Sequence, residues 1–325
     1  MLPRISVRPA LLNSASPWAT TSAELSALYL SPFTGAVTTR TALATGAFPH
    51  DERVHQHTFF AGSSLNTYGY SPSSLASYLS WIREIVRASG IPQAKPFIVS
   101  VTGAAEEVAA AVEAIADFAE NDGVLAWAEI NLSCPNIPDR PPPAYSAHAF
   151  EEYLRRLPQP RRIPVGVKIP PYAHQQQFDD LLGVVERYPE TLAFITATNS
   201  LGGALHLSAP PPPLAVDAAK AWQPTLPSAA GTGVGGLAGE AIHCLALGNV
   251  DSLRRGLERR GLADIGVIGV GGVADRDGME RMLAVGAAAV AVATALGRDG
   301  VGIFEEILTG KDTGADVGLE GKGFA

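Results

Sequence analysis

The sequence predicts a (β/α)8 barrel, folded as one domain over residues 1–325. Eight short apolar runs alternate with longer amphipathic stretches along the chain. Several runs are apolar on both faces, as in Phe97-Ile98-Val99 and Val267-Ile268, which suits a parallel sheet covered on two sides. Polar and glycine-rich segments gather at the C-terminal ends of the runs, where barrel enzymes carry their sites. A doubly wound sheet is the rival architecture. It usually shows Gly-x-Gly-x-x-Gly after its first strand, and nothing of that kind follows residues 10–14.

In chain order the strands are read at 10–14, 35–39, 96–101, 126–133, 164–169, 193–198, 265–269 and 287–293. Helices are read at 21–29, 73–89, 105–121, 147–156, 174–187, 239–247, 251–260, 275–285 and 301–308. Their ends carry stop and start signals: Ser73 and Ser74 before one helix, Asp275 before another, Gly90 after a third. Loop excursions fall at about 45–72, 135–146 and 203–235. The prolines at 141–143 and 210–213 make two of these stiff rather than marking domain boundaries.

Composition narrows the function. Hydrophobic residues make up 46% of the chain and charged residues 17%, enough apolar surface for a large core. There are 24 basic Lys and Arg against 32 acidic Asp and Glu, a net charge of −8. That balance argues against a nucleic-acid or anionic-membrane surface. No apolar run reaches the ~18–20 residues that span a bilayer. The start, Met1-Leu2-Pro3-Arg4, lacks the pattern of a secretory signal, so a cytoplasmic protein with free thiols is expected. Two cysteines, Cys134 and Cys244, cannot build a four-thiolate cluster, and the seven histidines show no metal-ligand spacing. Redox chemistry here calls for an organic cofactor and no metal. His55 and His57 read as solvated loop residues, and Cys244 as ordinary helix packing.

The segment Asn131-Leu132-Ser133-Cys134-Pro135-Asn136 closes the fourth strand with amides, a hydroxyl and a thiol. Amides suit a planar, amide-rich ligand, and a thiol of lowered pKa can act as a base; a buried structural cysteine flanked by turn residues is the plain alternative. Lys168 ends an otherwise apolar strand, where a cation is costly unless something negative meets it; a lysine reaching out at the rim is the alternative. Thr198-Asn199-Ser200 ends the next strand, either as a site or as an ordinary turn. Glycine groups at 231–239 and 269–273, and Ala293-Thr294, fit a phosphate cradle after strands seven and eight, or tight turns.

Together these segments resemble the dihydroorotate dehydrogenase family, in its soluble fumarate-linked class (class 1A), from about Asn13 to Leu308. The stretch from Asn131 to Asn136 is the most specific. Val165-Gly166-Val167-Lys168-Ile169-Pro170-Pro171-Tyr172 resembles the family's "GVKLPPY", and Asn199-Ser200-Leu201-Gly202 its "NSIG". Residues 235–242 resemble "GGLSGPAL", 269–273 "GTGGI", and 64–70 the "SINSMGLPN" loop. The resemblance implies FMN as cofactor, dihydroorotate and fumarate as substrates, pyrimidine biosynthesis as setting, and a homodimer. It makes Cys134 the base that removes the C5 proton while hydride leaves C6, and Lys168 the partner of the flavin N1/O2 edge. It assigns Asn66, Asn131, Asn136, Asn199 and Ser200 to the pyrimidine and Tyr68, Gly69 and Tyr70 to its carboxylate. Ser14, Ala15, Ser16, Thr39, Asn131, Lys168 and Thr198 would surround the flavin, with Gly239, Gly271, Gly272, Ala293 and Thr294 at its phosphate. The segment 138–146 would be the lid that carries Cys134.

A cysteine at 134 stands where the quinone-linked class has serine. Two departures stand out. In Thr38-Thr39-Arg40-Thr41-Ala42, Thr39 is read as occupying the place of the family lysine in "TKSST"; Arg40, one residue on, points to the opposite side of a strand unless the turn bends it back. Glu240 replaces a proline near the phosphate site. Both leave open a diverged FMN oxidoreductase acting on another small unsaturated or cyclic substrate, or a barrel without turnover.

Overall fold

The computed structural model describes residues 4–91, 95–137, 141–209, 222–226 and 232–311. The expected prolines at 210–213, much of the 203–235 excursion, Gly231, Lys220, Lys322 and the first residues of the 138–146 lid lie outside the described residues.

Eight parallel strands form a nearly closed barrel with helices between them. They are β1 (Leu11–Asn13), β2 (Val37–Thr38), β3 (Phe97–Thr102), β4 (Ala126–Asn131), β5 (Val165–Lys168), β6 (Phe194–Ala197), β7 (Gly266–Val270) and β8 (Ala289–Val292). Each pairs with the next from β2 to β8, β8 pairs with β1, and a single Leu12–Ala36 bridge joins β1 to β2. The pleat sorts the side chains. Leu12, Ala36, Ile98, Trp127, Phe194 and Ile268 pack in one cluster inside the barrel, with Ile5 and Val7 of the N-terminal segment. Their neighbours Leu11, Val37, Phe97, Val99, Val167 and Val267 face outward and pack with the helices. Gly166 faces inward because the Phe194 ring takes the space; a Cβ there would lie 2.3 Å from that ring.

The helix signals hold. Ser74 caps Leu75–Ser89, which ends on Gly90 in the left-handed region (φ 59°), and Asp275 caps Arg276–Ala284. The expected helices 239–247 and 251–260 are instead a 3-10 turn, Glu240–Ile242, running into one helix, His243–Arg259. Gly248-Asn249 reads as a break, but Asn249 spends its polar side chain elsewhere. Its Oδ1 accepts from the Tyr172 amide at 2.8 Å and its Nδ2 donates to the Tyr172 carbonyl at 3.0 Å. A short helix, Thr294–Asp299, follows β8 where only a phosphate turn was expected. No helix among the described residues is long and apolar enough to cross a membrane.

The loop excursions build a second sheet that the sequence did not reveal. Four antiparallel strands lie in the order Leu201–Leu205, Val234–Gly239, Ser63–Asn66, His57–Phe60. The last two form a hairpin that turns through Ala61 and Gly62, both at positive φ (41° and 73°).

Candidate active site

The C-terminal ends of the barrel strands and the second sheet enclose a cleft of about 1060 Å³. Of the residues assigned from sequence, all but Thr39 line it. Lys168 enters from the end of β5 and is almost fully buried. Its Nζ donates to Ser14 Oγ at 2.8 Å and to the Ala15 carbonyl at 3.4 Å. Burial pushes its pKa down, while the negative groups Glu129 and Cys134 push back. Cys134 is half-buried. Burial pushes its thiol up; the Asn136 backbone N–H, Lys168 and Arg40 oppose this without overcoming it.

Thr39 is not a cleft residue, which corrects the sequence reading. Ala36 faces the barrel interior and Val37 the helix layer, so the pleat puts Arg40 inside with Ala36 and Thr39 outside with Val37. The Thr39 hydroxyl accepts from the Ser100 amide at 3.0 Å. Arg40 lies in the cleft wall, and its Nη2 donates to the carbonyls of Gly69 (3.2 Å) and Tyr70 (3.0 Å). Burial lowers its pKa, yet a guanidinium keeps its charge at any ordinary pH. The Tyr68 ring lies 5.2 Å from it.

The amides interlock across both sheets. Asn199 Nδ2 donates to Ser133 Oγ (2.9 Å), which donates to Asn131 Oδ1 (2.8 Å). Asn136 Nδ2 donates to Asn66 Oδ1 (3.0 Å) and to the Tyr68 carbonyl (2.9 Å). Asn66 Nδ2 donates to the Gly236 carbonyl at 3.1 Å, tying the hairpin to its neighbouring strand. The opposite end of the cleft is backbone. Gly239 holds φ 80°, and a Cβ there would lie 2.6 Å from the Gly62 carbonyl; a Cβ on Gly272 would lie 2.8 Å from the Gly239 carbonyl. Ser64 Oγ and Thr294 Oγ1 meet there at 3.0 Å. The hydroxyls of Ser16 and Thr198 are buried without a hydrogen-bond partner among the described residues, polar atoms that suit a bound ligand. Glu240 turns away from the cleft, its carboxylate packed over Gly62.

A model of the family described as dihydroorotate dehydrogenase matches residues 21–312. The chain belongs to the dihydroorotate dehydrogenase family. It is 32% identical over 249 residues to a Trypanosoma cruzi protein named dihydroorotate dehydrogenase (fumarate), covering 76% of this chain and 72% of that one. It is also 32% identical over 246 residues to a Saccharomyces mikatae protein of the same name, covering 75% and 70%.

In this dihydroorotate dehydrogenase family member the sequence missed Arg40, Thr41, Ser64 and Trp18, all of which line the cleft. Strand alternation from Ala36 would have found Arg40. Ser64 lies in the 64–70 loop that carries the resemblance but has no role assigned there, and Trp18 carries no local signal; a loop hairpin and the Trp18 contact with Gly297 bring them in. His57 is exposed and pairs with the Tyr68 hydroxyl at 2.9 Å, and Cys244 is exposed rather than packed.

Proposed function

We propose that this chain is an FMN-dependent dihydroorotate dehydrogenase that uses fumarate as electron acceptor. The observation that carries the reading is one cleft that holds a thiol, a buried lysine, an arginine and four asparagines, brought together by barrel strands, the loops after them and the second sheet. The donor set fits a flavin. Ser16 and Thr198 offer hydroxyls without a partner among the described residues, Lys168 a cation, and Gly239, Gly271, Gly272, Ala293 and Thr294 a backbone cradle for phosphate, joined by Ser64. Held by these residues, a flavin would supply the hydride acceptor for C6 of dihydroorotate and the hydride donor for fumarate.

The protein's own groups do the rest. Asn66 and Asn131 each keep an N–H for a ligand and Asn136 its carbonyl oxygen, a pattern that grips a pyrimidine edge, while Asn199 braces Ser133 and Asn131 beside it. Arg40 faces the substrate carboxylate beside the Gly69 and Tyr70 carbonyls. The Cys134 thiolate takes the C5 proton, and the resulting thiol is the proton source when fumarate is reduced. Lys168 supplies positive charge where negative charge develops during hydride transfer. The readings of a diverged oxidoreductase or an inactive barrel rested on Thr39 and Glu240. Against them, Arg40 puts a cation in the cleft wall, and Glu240 does not line the cleft. The same reading carries a cytoplasmic homodimer. The test is orotate formation by the FMN-loaded protein with dihydroorotate and fumarate. We expect orotate in proportion to fumarate consumed; flavin-loaded protein that makes none contradicts the proposal.

A further inference from the structure

Beneath the cleft lies a carboxylate that the chemistry above does not use. Glu129 is 2% exposed, on β4 two residues before Asn131, and so points into the barrel one layer lower. It meets no arginine or lysine within ion-pair distance among the described residues; hydroxyls hold it instead. Ser100 Oγ donates to its Oε1 at 3.1 Å and Thr196 Oγ1 to its Oε2 at 2.7 Å. The Ser100 and Thr41 hydroxyls lie 2.9 Å apart, and Asn131 Nδ2 lies 2.9 Å from Thr41 Oγ1. The four side chains are one chain of hydrogen bonds from the barrel interior to the cleft.

Proton positions along that chain follow from its end. A carboxylate accepts and never donates, so the Ser100 hydroxyl must point its proton at Glu129. Ser100 Oγ is then an acceptor for Thr41, and Thr41 Oγ1 an acceptor for the Asn131 amide. From the other side, the Ser133 backbone N–H donates to Asn131 Oδ1 at 3.1 Å and the Ser133 hydroxyl does so at 2.8 Å. Both ends agree on the orientation of the amide. Its oxygen has three donors, Asn199 Nδ2 at 3.5 Å being the third, and one of its hydrogens is committed to Thr41. The group left for a ligand is the second N–H.

We propose that Glu129 is a positioning residue that, through Ser100 and Thr41, makes Asn131 a donor-only contact and so selects a carbonyl oxygen over an amino group on the bound ring. The ligand half of this inference rests on the pyrimidine reading of the cleft; the chain of hydrogen bonds does not. Glu129 also lies near enough to Lys168 to act on its charge, so the variant that isolates the relay is Ser100→Ala, which cuts the chain and leaves the carboxylate in place. Glu129→Met removes the acceptor itself.

Two readouts on the FMN-loaded protein test this. The first is the side-chain amide resonance of Asn131 by NMR, assigned by its loss in Asn131→Asp, with its hydrogen-exchange rate. Ser100→Ala and Glu129→Met should both shift the resonance and speed exchange, and the double variant should add nothing further to that change. The second is the affinity ratio of orotate over analogues that carry an amino group in place of each ring carbonyl in turn. For one analogue Ser100→Ala should shrink that ratio about tenfold, the size of one misoriented buried hydrogen bond. An Asn131 resonance unchanged in Ser100→Ala overturns the proposal, and this single variant decides it even if Glu129→Met does not fold. A shifted resonance in a protein that binds no pyrimidine leaves the relay standing and removes the pyrimidine reading instead.

Discussion

Asn131, Lys168 and Thr198 reach the cleft from barrel strands buried on both faces, whereas Asn66 and Gly239 reach it from an antiparallel sheet whose outer strands, Leu201–Leu205 and His57–Phe60, are partly exposed. The barrel side holds the buried charges: Lys168 on Ser14, Glu129 beneath it, Arg40 in the wall. The sheet side offers mostly backbone and amides, tied down by contacts such as Asn136 to Asn66. A packed barrel keeps charged groups in place without water, and a less buried sheet opens at lower free-energy cost. We therefore assign the chemistry, with the Arg40 and Asn131 contacts to the ligand, to the barrel ends, and ligand entry and the remaining grip to the sheet.

Substitutions on the two sides separate these roles. Cys134→Ser has the largest expected effect. A base removed from its proton costs about 10²–10⁴-fold in the oxidation of dihydroorotate, with flavin still bound. The wild-type rate should also climb with pH. Burial raises the thiol pKa above its ordinary value, so the thiolate fraction keeps growing as pH increases through the neutral and mildly alkaline range. Cys134→Ser should flatten that limb, measured by stopped-flow reduction of the flavin. A wild-type rate independent of pH argues against the thiol as base.

Arg40→Ala comes next. Losing a hydrogen bond from a charged donor costs about 1.5–3 kcal/mol, or roughly 10- to 100-fold in affinity for the anionic substrate. Steady-state kinetics should register it mainly in KM, and Thr39→Ala should move KM far less. The reverse ranking would restore Thr39 to the site. The smallest effect belongs to the sheet. Gly239→Ala forces a side chain onto positive φ against the Gly62 carbonyl, a strain of about 1–3 kcal/mol. It should weaken FMN retention on dialysis and leave the turnover of the flavin-loaded fraction nearly unchanged. A large fall in turnover at full occupancy would put the sheet in the chemistry and erase the division of roles.

The same division governs what the sequence makes visible. Every barrel strand shows as an apolar run, since a strand buried on both faces leaves no other composition open to it. The strand Ser63–Asn66 shows nothing, because Ser, Leu and Asn in a loop excursion carry no period. Arg40 was misjudged by a single residue, and in a pleat of period two one residue changes the face. Glu129 is written inside an apolar run, where only alternation from Trp127 marks it as inward. The helix His243–Arg259 was split at Asn249, whose contact with Tyr172 spans 77 positions and has no local trace. Cys134, Lys168, Asn131 and Asn199 were legible because polar groups at the end of a buried strand stand out against their surroundings, whereas Asn66 was reached only through the family resemblance.

The most direct test is the visible spectrum of the FMN-loaded protein without oxygen. Dihydroorotate should bleach the flavin band and fumarate should restore it, with Cys134→Ser bleaching far more slowly. A flavin band that dihydroorotate leaves unchanged in the wild-type protein contradicts the assignment.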